Sequence, residues 1–361
     1  MNNDAKLIFI VASLLIMIGV VMTYSSSAVY AYGTYGDSLY FVKKHFLYLL
    51  FGISAAMMCM SIKAEKFREY SRYLVIFFIF LLTIVLIPGV GSEVGGARRW
   101  LRLFGFGFQP SEMVKLVIIL YLADFTSRRR HNIKDLWRGF VPPLFVIGVL
   151  SGLILAEPDM GTFISILFIG FVMLFDSGAR LKHIVFIVVS AIPVILFAII
   201  SKPYRVKRVL SIFNPWEDSQ GTGFQLIQSL IALGSGGFLG VGLGSSKQKL
   251  FYLPESHTDF IFAIIGEELG FLGGMVIILL FAVLVSFILK VSFKIHNYFA
   301  SRVVFGIGVM LAFEAIVNIG VSMGVLPTKG LPLPFISYGG SSLVCHLAAI
   351  GIVLNMAREA E

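Results

Sequence analysis

Long apolar runs recur along this chain, and no water-soluble fold can bury so many of them. Leu7–Val21, Leu74–Ile87, Ile184–Ile200 and Met275–Leu289 each pass almost without charge. A helix needs about 20 mostly apolar residues to cross ~30 Å of hydrocarbon, and each run forms the core of such a stretch. Soluble domains carry roughly a quarter of their residues charged. Here 14% are charged, 58% are hydrophobic and the mean hydropathy is +0.91. Backbone groups in lipid must be satisfied within helices or closed barrels, and unbroken apolar runs lack the alternation of barrel strands. The chain therefore reads as an all-α, polytopic integral membrane protein.

Ten spans are expected, at 7–29, 46–62, 71–89, 111–127, 139–156, 160–176, 183–201, 259–289, 300–325 and 336–356. Lys6 before the first run resembles a signal peptide, but that run outlasts the ~7–15 residues of an h-region and lacks a clear cleavage site, so it reads as a retained span. Lys and Arg concentrate in the even-numbered connections: Lys63, Lys66, Arg68 and Arg72; Arg128, Arg129, Arg130, Lys134 and Arg138; Arg180 and Lys182; Lys290, Lys294 and Arg302. Those connections and both termini are then cytoplasmic. The net charge of +9 is accounted for without nucleic acid. One large extracytoplasmic loop, 202–258, interrupts an otherwise single membrane domain covering 1–361. Its Lys202, Arg205, Lys207, Arg208, Lys247 and Lys249 either reflect the tolerance of long translocated loops for charge or, with Arg98, Arg99 and Lys329, face an anionic ligand. Cys59 and Cys345 sit in apolar blocks as small buried thiols, implying neither disulfide nor metal site.

The segment L-P-E-S-H-T-D-F-I-F-A-I-I-G-E-E-L-G, 253–270, is the most informative. Asp259 stands where a loop yields to an apolar helix; either it or Thr258 is simply an N-cap, or it is a carboxylate at the membrane boundary ready to accept a proton. At 100° per residue, Ala263, Gly266 and Gly270 share its face, inviting close approach of another helix. Glu267 and Glu268 carry carboxylates onward into the span, where such groups are paired or functional. Glu314 and Asn318, at i and i+4, read as helix–helix hydrogen-bonding residues. Gln109-Pro110-Ser111 starts a helix on which Glu112 and Lys115, at i and i+3, can pair. Lys115 has either a substrate role or a structural one. In A-E-P-D-M-G-T, Glu157 and Asp159 could hold a cation such as Mg²⁺; a helix cap by Asp159 is the simpler reading. The glycine-rich run 234–244 lacks the strand and acid of a nucleotide site, and reads as a loop folding back along the membrane surface.

Taken together, G-A-R-R-W, Q-P-S-E, P-D-M-G-T, Y-L-P-E-S-H-T-D-F-I-F and P-F-I-S-Y-G-G-S-S, in that order from about Tyr24 onward, resemble the SEDS family of bacterial shape, elongation, division and sporulation proteins. N-P-W-E-D-S and L-P-T-K-G-L are more similar to its division member than to its elongation member, while Glu157 departs from the Gln-Pro-Asp of many relatives. The resemblance implies a peptidoglycan glycosyltransferase that polymerises lipid II at the outer face of the bacterial cytoplasmic membrane, at the division septum. It implies partnership with a class B penicillin-binding protein and other division proteins. By motif position Asp259 matches the family's essential aspartate, a general base. Arg99, Glu112, Lys115, His257, Lys329 and Ser337 become candidate substrate-binding residues. A flippase of the same precursor and a non-catalytic division scaffold are the competing readings.

Overall fold

The computed structural model describes residues 3–186 except 95, 104 and 105, then 189, 193, 200, 206, 215–218, 221 and 223–360 except 329. The expected seventh span, 183–201, and the loop cations Lys202, Arg205, Lys207 and Arg208 lie largely or wholly outside the described residues.

Helices α1 (Asn3–Tyr35), α2 (Tyr40–Ser61) and α3 (Ala64–Leu86) lead into a small antiparallel sheet, β1 (Gly91–Val94), β2 (Ala97–Leu103) and β3 (Phe106–Phe108). Then follow α4 (Pro110–Arg128), a π-helical turn (Leu136–Phe140), α5 (Val141–Ala156) and α6 (Met160–Asp176). After the undescribed stretch come α7 (Phe224–Gly236), α8 (Ile261–Lys294), α9 (Tyr298–Ser322) and α10 (Gly340–Met356). Nine of the ten expected spans thus coincide with helices, with ends displaced by up to seven residues.

Their outward faces explain why they need lipid. Phe9, Ile10, Met17 and Val21 on α1, and Ile76, Phe77 and Phe80 on α3, are each more than half exposed. Helices apolar all round belong in a bilayer. Inside, small residues set the spacing. Leu347 of α10 fills the place of a Gly52 side chain on α2, and Gly351 of α10 abuts the Ala56 backbone. Gly306 of α9 seats against Met173 of α6 and Ile119 of α4. Close backbone approach of this kind is how membrane helices gain packing without a hydrophobic driving force.

Two elements differ from the expected all-helical pattern. The third connection is a three-stranded sheet, β1-β2-β3, in which Val94 pairs with Ala97 and Leu101 with Phe108. Gly96, at φ 76°, takes the tight reversal between β1 and β2. The second difference is α7, a buried-faced helix inside the segment read as loop.

That helix and the glycines after it repair a break in α8. At Gly270 (φ 69°, ψ −167°) the helical ladder stops. Val241 and Gly242 donate their N–H groups to the carbonyls of Glu267 and Glu268, while Phe271 and Leu272 donate to Gly237 and Phe238. Irregular backbone at membrane depth is tolerated only where protein satisfies it, as here. A Cβ on Gly236 or Gly240 would meet the Gly266 or Glu268 carbonyl oxygen at 1.9 or 2.2 Å, so this strap must be glycine.

Measured from Lys290 at the inner boundary, 20 residues (~30 Å) reach Gly270. Glu267 and Glu268 therefore lie at the outer boundary rather than deep in the span. Glu268 accepts from Ser25 (2.6 Å) and Lys249 (2.8 Å); Glu267 accepts from Ser246 (2.5 Å) and the Lys247 N–H (2.9 Å). These pairings meet the expectation that such carboxylates are not left alone.

Candidate active site

Asp259 sits in a turn just before α8, which begins at Ile261 with no side-chain cap. It is neither an N-cap nor a member of the small-residue face. Gly266 of that face packs instead on Leu233 of α7, and Gly270 is the helix break. The turn is pinned from several sides. Asp259 N–H bonds the Glu255 carbonyl, and Asn318 of α9 donates its amide to the carbonyls of both Asp259 (2.9 Å) and Leu331 (2.7 Å). Ser337 donates to the Thr258 carbonyl at 2.6 Å and accepts from the Leu333 N–H at 2.8 Å. Tyr338 N–H reaches the His257 carbonyl at 2.9 Å. The Asp259 carboxylate, half-buried, lies against Gly330, whose missing side chain leaves its space: a Cβ there would stand 2.5 Å from Oδ2.

His257 and Ser337 are thus placed in the support of this turn. The His257 ring stacks with Tyr30 (5.6 Å) and packs on Phe41 (4.6 Å) and Tyr338 (5.8 Å). Burial holds the imidazole below its usual range, with Glu255 opposing weakly.

A second group of side chains faces the same Gly330–Leu331 segment. A Cβ on Gly161 would lie 3.1 Å from the Gly330 carbonyl. Two residues earlier, Asp159 caps α6 through the Thr162 N–H (3.1 Å) and hydroxyl (3.0 Å), and accepts from Gln109 at 3.1 Å. Arg99 of β2 approaches it to 3.7 Å. Glu157 is fully buried, and among the described residues neither carboxylate oxygen has a hydrogen-bond partner of ordinary geometry. Burial, with the neighbouring Asp159 charge, pushes its carboxyl up to about 8, against weaker opposing effects of Arg99 and Ser111. A divalent cation fits this turn poorly: Asp159 is already engaged by three donors and a guanidinium stands beside it. Among the described residues, no three His, Cys, Asp or Glu side chains are grouped to hold a metal ion.

Lys115 and Glu112 lie deeper. Lys115 has no exposed surface and binds Glu112 (2.9 Å) and Glu314 of α9, whose other oxygen meets His346 of α10 at 2.5 Å. Lys115 and Glu112 pair at the spacing read from sequence. Lys329 falls outside the described residues. Sequence reasoning missed Gln109, Gly330 and His346. A lone histidine at i+4 from Ser342 in an apolar helix was the available signal for His346. For Gly330 the L-P-T-K-G-L motif was the signal.

Beside the site an apolar groove of about 490 Å³ runs between α6, α8 and α9, lined by Phe168, Val172, Val285, Val309, Phe313 and Leu331 among others. Leu331 is the residue after Gly330, so the groove ends next to the Asp259 turn.

Residues 5–361 match the family described as "Cell cycle protein", whose model carries the names FtsW, RodA and SpoVE. The chain belongs to that family. It is 44% identical to stage V sporulation protein E of Bacillus subtilis (strain 168), covering 98% of this chain and 96% of that one. Against the probable peptidoglycan glycosyltransferase FtsW of Geobacter sp. (strain M18) it is 41% identical, covering 97% and 95%. Among solved structures it superposes on a chain of a peptidoglycan synthase complex, in which polymerisation and crosslinking are coordinated, with a TM-score of 0.80 at 29% identity over 98% of this chain and 97% of that chain. Against the rod shape determining protein RodA of Thermus thermophilus the TM-score is 0.72 at 27% identity, covering 97% and 95%. The polytopic fold is that of the family.

Proposed function

We propose that this protein is a peptidoglycan glycosyltransferase that polymerises lipid II at the outer face of the cytoplasmic membrane during cell division. The observation that carries the reading is the Asp259 carboxylate, held against a side-chain-free Gly330 at the end of an apolar groove. A sugar hydroxyl oxygen attacks the anomeric carbon of a second, lipid-linked disaccharide. The glycosidic C–O bond forms as the bond from that carbon to the phosphate oxygen breaks. The electron pair leaves with the polyprenyl pyrophosphate, and Asp259 takes the hydroxyl proton. A positioned base contributes about 10²–10⁴-fold. Arg99, held beside Asp159, and Lys329 are the candidate cations for the charge developing on the pyrophosphate. The groove accommodates polyprenyl tails. Sealed between two carboxylates, Lys115 acts by fixing α4 against α9 and not by touching substrate. A class B penicillin-binding protein supplies transpeptidation, and the pair works at the septum.

The test uses the purified full chain with its transpeptidase partner and lipid II in detergent. Glycan polymer is expected from the wild type and not from Asp259→Ala. Undiminished polymer from the variant would remove Asp259 as the base. Lipid II movement across sealed vesicles with no polymer would replace the reading by a flippase.

A further inference from the structure

At the opposite, cytoplasmic end of the bundle, three arginines converge on one buried carboxylate. Asp124 of α4 is 1% exposed, and Arg68 and Arg72 of α3 and Arg128 of α4 approach it to 3.2, 3.4 and 2.6 Å. Three positive charges against one negative leave this cluster two charges in excess. All three make their closest approach through Nε. A guanidinium has five N–H donors, so the four on each pair of terminal nitrogens remain. None of these terminal nitrogens forms a hydrogen bond with the described residues, and the side chains are 42%, 57% and 44% exposed. Asp124 therefore orients three guanidiniums by their inner edges and leaves their outer edges for something else.

Position decides what that something is. α3 begins at Ala64 and α4 ends at Arg128, so the cluster stands where both helices leave the inner leaflet. Tyr70 and Tyr73, both at least half exposed, flank it on α3 with the amphipathic rings typical of the membrane interface. Arginine forks match the oxygens of phosphate bidentately, and basic pockets between helices on the cytoplasmic side bind anionic headgroups. Two of the neighbouring basic residues are otherwise occupied. Arg129 donates to the Arg138 carbonyl and stacks on Phe125, and Lys66 pairs with Glu69.

We propose that Arg68, Arg72 and Arg128, oriented by Asp124, form a binding site for the phosphodiester headgroup of an anionic phospholipid of the inner leaflet, a two-phosphate headgroup best matching its excess charge. The site is separate from the outer-face chemistry and stands whether or not the proposed activity does.

Native mass spectrometry of the full chain in detergent, titrated with diphosphatidylglycerol, phosphatidylglycerol or phosphatidylcholine, tests it. Expected is retention in the order two phosphates, one phosphate, zwitterion. At about five-fold per arginine, Arg68→Gln with Arg72→Gln should weaken anionic-lipid retention roughly 25-fold. Arg129→Gln with Arg138→Gln, which removes the same charge from outside the cluster, should weaken it several-fold less. Equal losses from both pairs would reduce the site to diffuse surface charge and overturn the proposal. Equal retention of phosphatidylcholine would do the same, as would displacement of the lipid by millimolar inorganic phosphate. If the first pair unfolds the protein, Arg72→Lys serves in its place: it keeps the charge, loses the fork, and should still weaken binding several-fold. Unchanged binding there overturns the bidentate site.

Discussion

Replacing Gly330 with alanine isolates the position of the Asp259 carboxylate from its chemistry. The added Cβ would stand 2.5 Å from Oδ2, 3.3 Å from Oδ1 and 3.2 Å from Cγ. Bringing Oδ2 to an ordinary contact of about 3.4 Å moves the carboxylate by roughly 0.9 Å. A misplacement of about 1 Å in a reacting group can cost 10²-fold in rate, about 2.7 kcal/mol of barrier. Folding should suffer little. The half-buried carboxylate can swing aside, so a change of about 1 kcal/mol or less is expected. Initial rates of lipid II polymerisation, with the thermal midpoint of the same preparation, read both quantities. Gly161→Ala is the milder comparison: its Cβ would press on the Gly330 carbonyl at 3.1 Å without itself meeting the carboxylate, so a smaller loss is expected. A Gly330→Ala protein that folds normally and polymerises at the wild-type rate would refute the idea that the carboxylate's place matters.

Two further outcomes follow from the buried charges. Lys115→Met leaves Glu112 and Glu314 facing each other without their shared cation, which should cost about 3–5 kcal/mol of stability; adding Glu314→Gln should recover part of it. Thermal unfolding in detergent checks this, and an unaltered midpoint for Lys115→Met would mean the cluster is not a stabilising pair. The Glu157 carboxyl is raised from 4.5 to about 8 in the folded chain, so its stabilising contribution is complete below about pH 4.5 and is lost as pH rises toward 8. Glu157→Gln removes the ionisation; its midpoint should match wild type near pH 5 and exceed it increasingly up to pH 8. A gap that stays constant with pH would show that Glu157 does not titrate in that window.

The bilayer made much of this molecule legible from sequence. Where hydrocarbon is the solvent, each span must be a self-satisfied helix about 20 residues long, so apolar length alone located nine of the described helices. Pairings within one helix were equally readable, because Glu112 and Lys115 are joined by helical geometry and not by the rest of the fold. Asp259 was visible as a carboxylate at a loop–helix junction, but local periodicity misassigned its face. That periodicity assumes the helix is already running, and α8 starts two residues later.

Only tertiary structure decided which distant groups meet. The strap of glycines completes a helix broken at Gly270, and Glu314 bridges Lys115 and His346 from three separate helices. Gly330 makes room for a carboxylate 71 residues away in sequence. Such contacts depend on how helices dock, which small residues and satisfied polar groups control. No one-dimensional period records them, because the lipid that fixes each helix is indifferent to which neighbour it packs against.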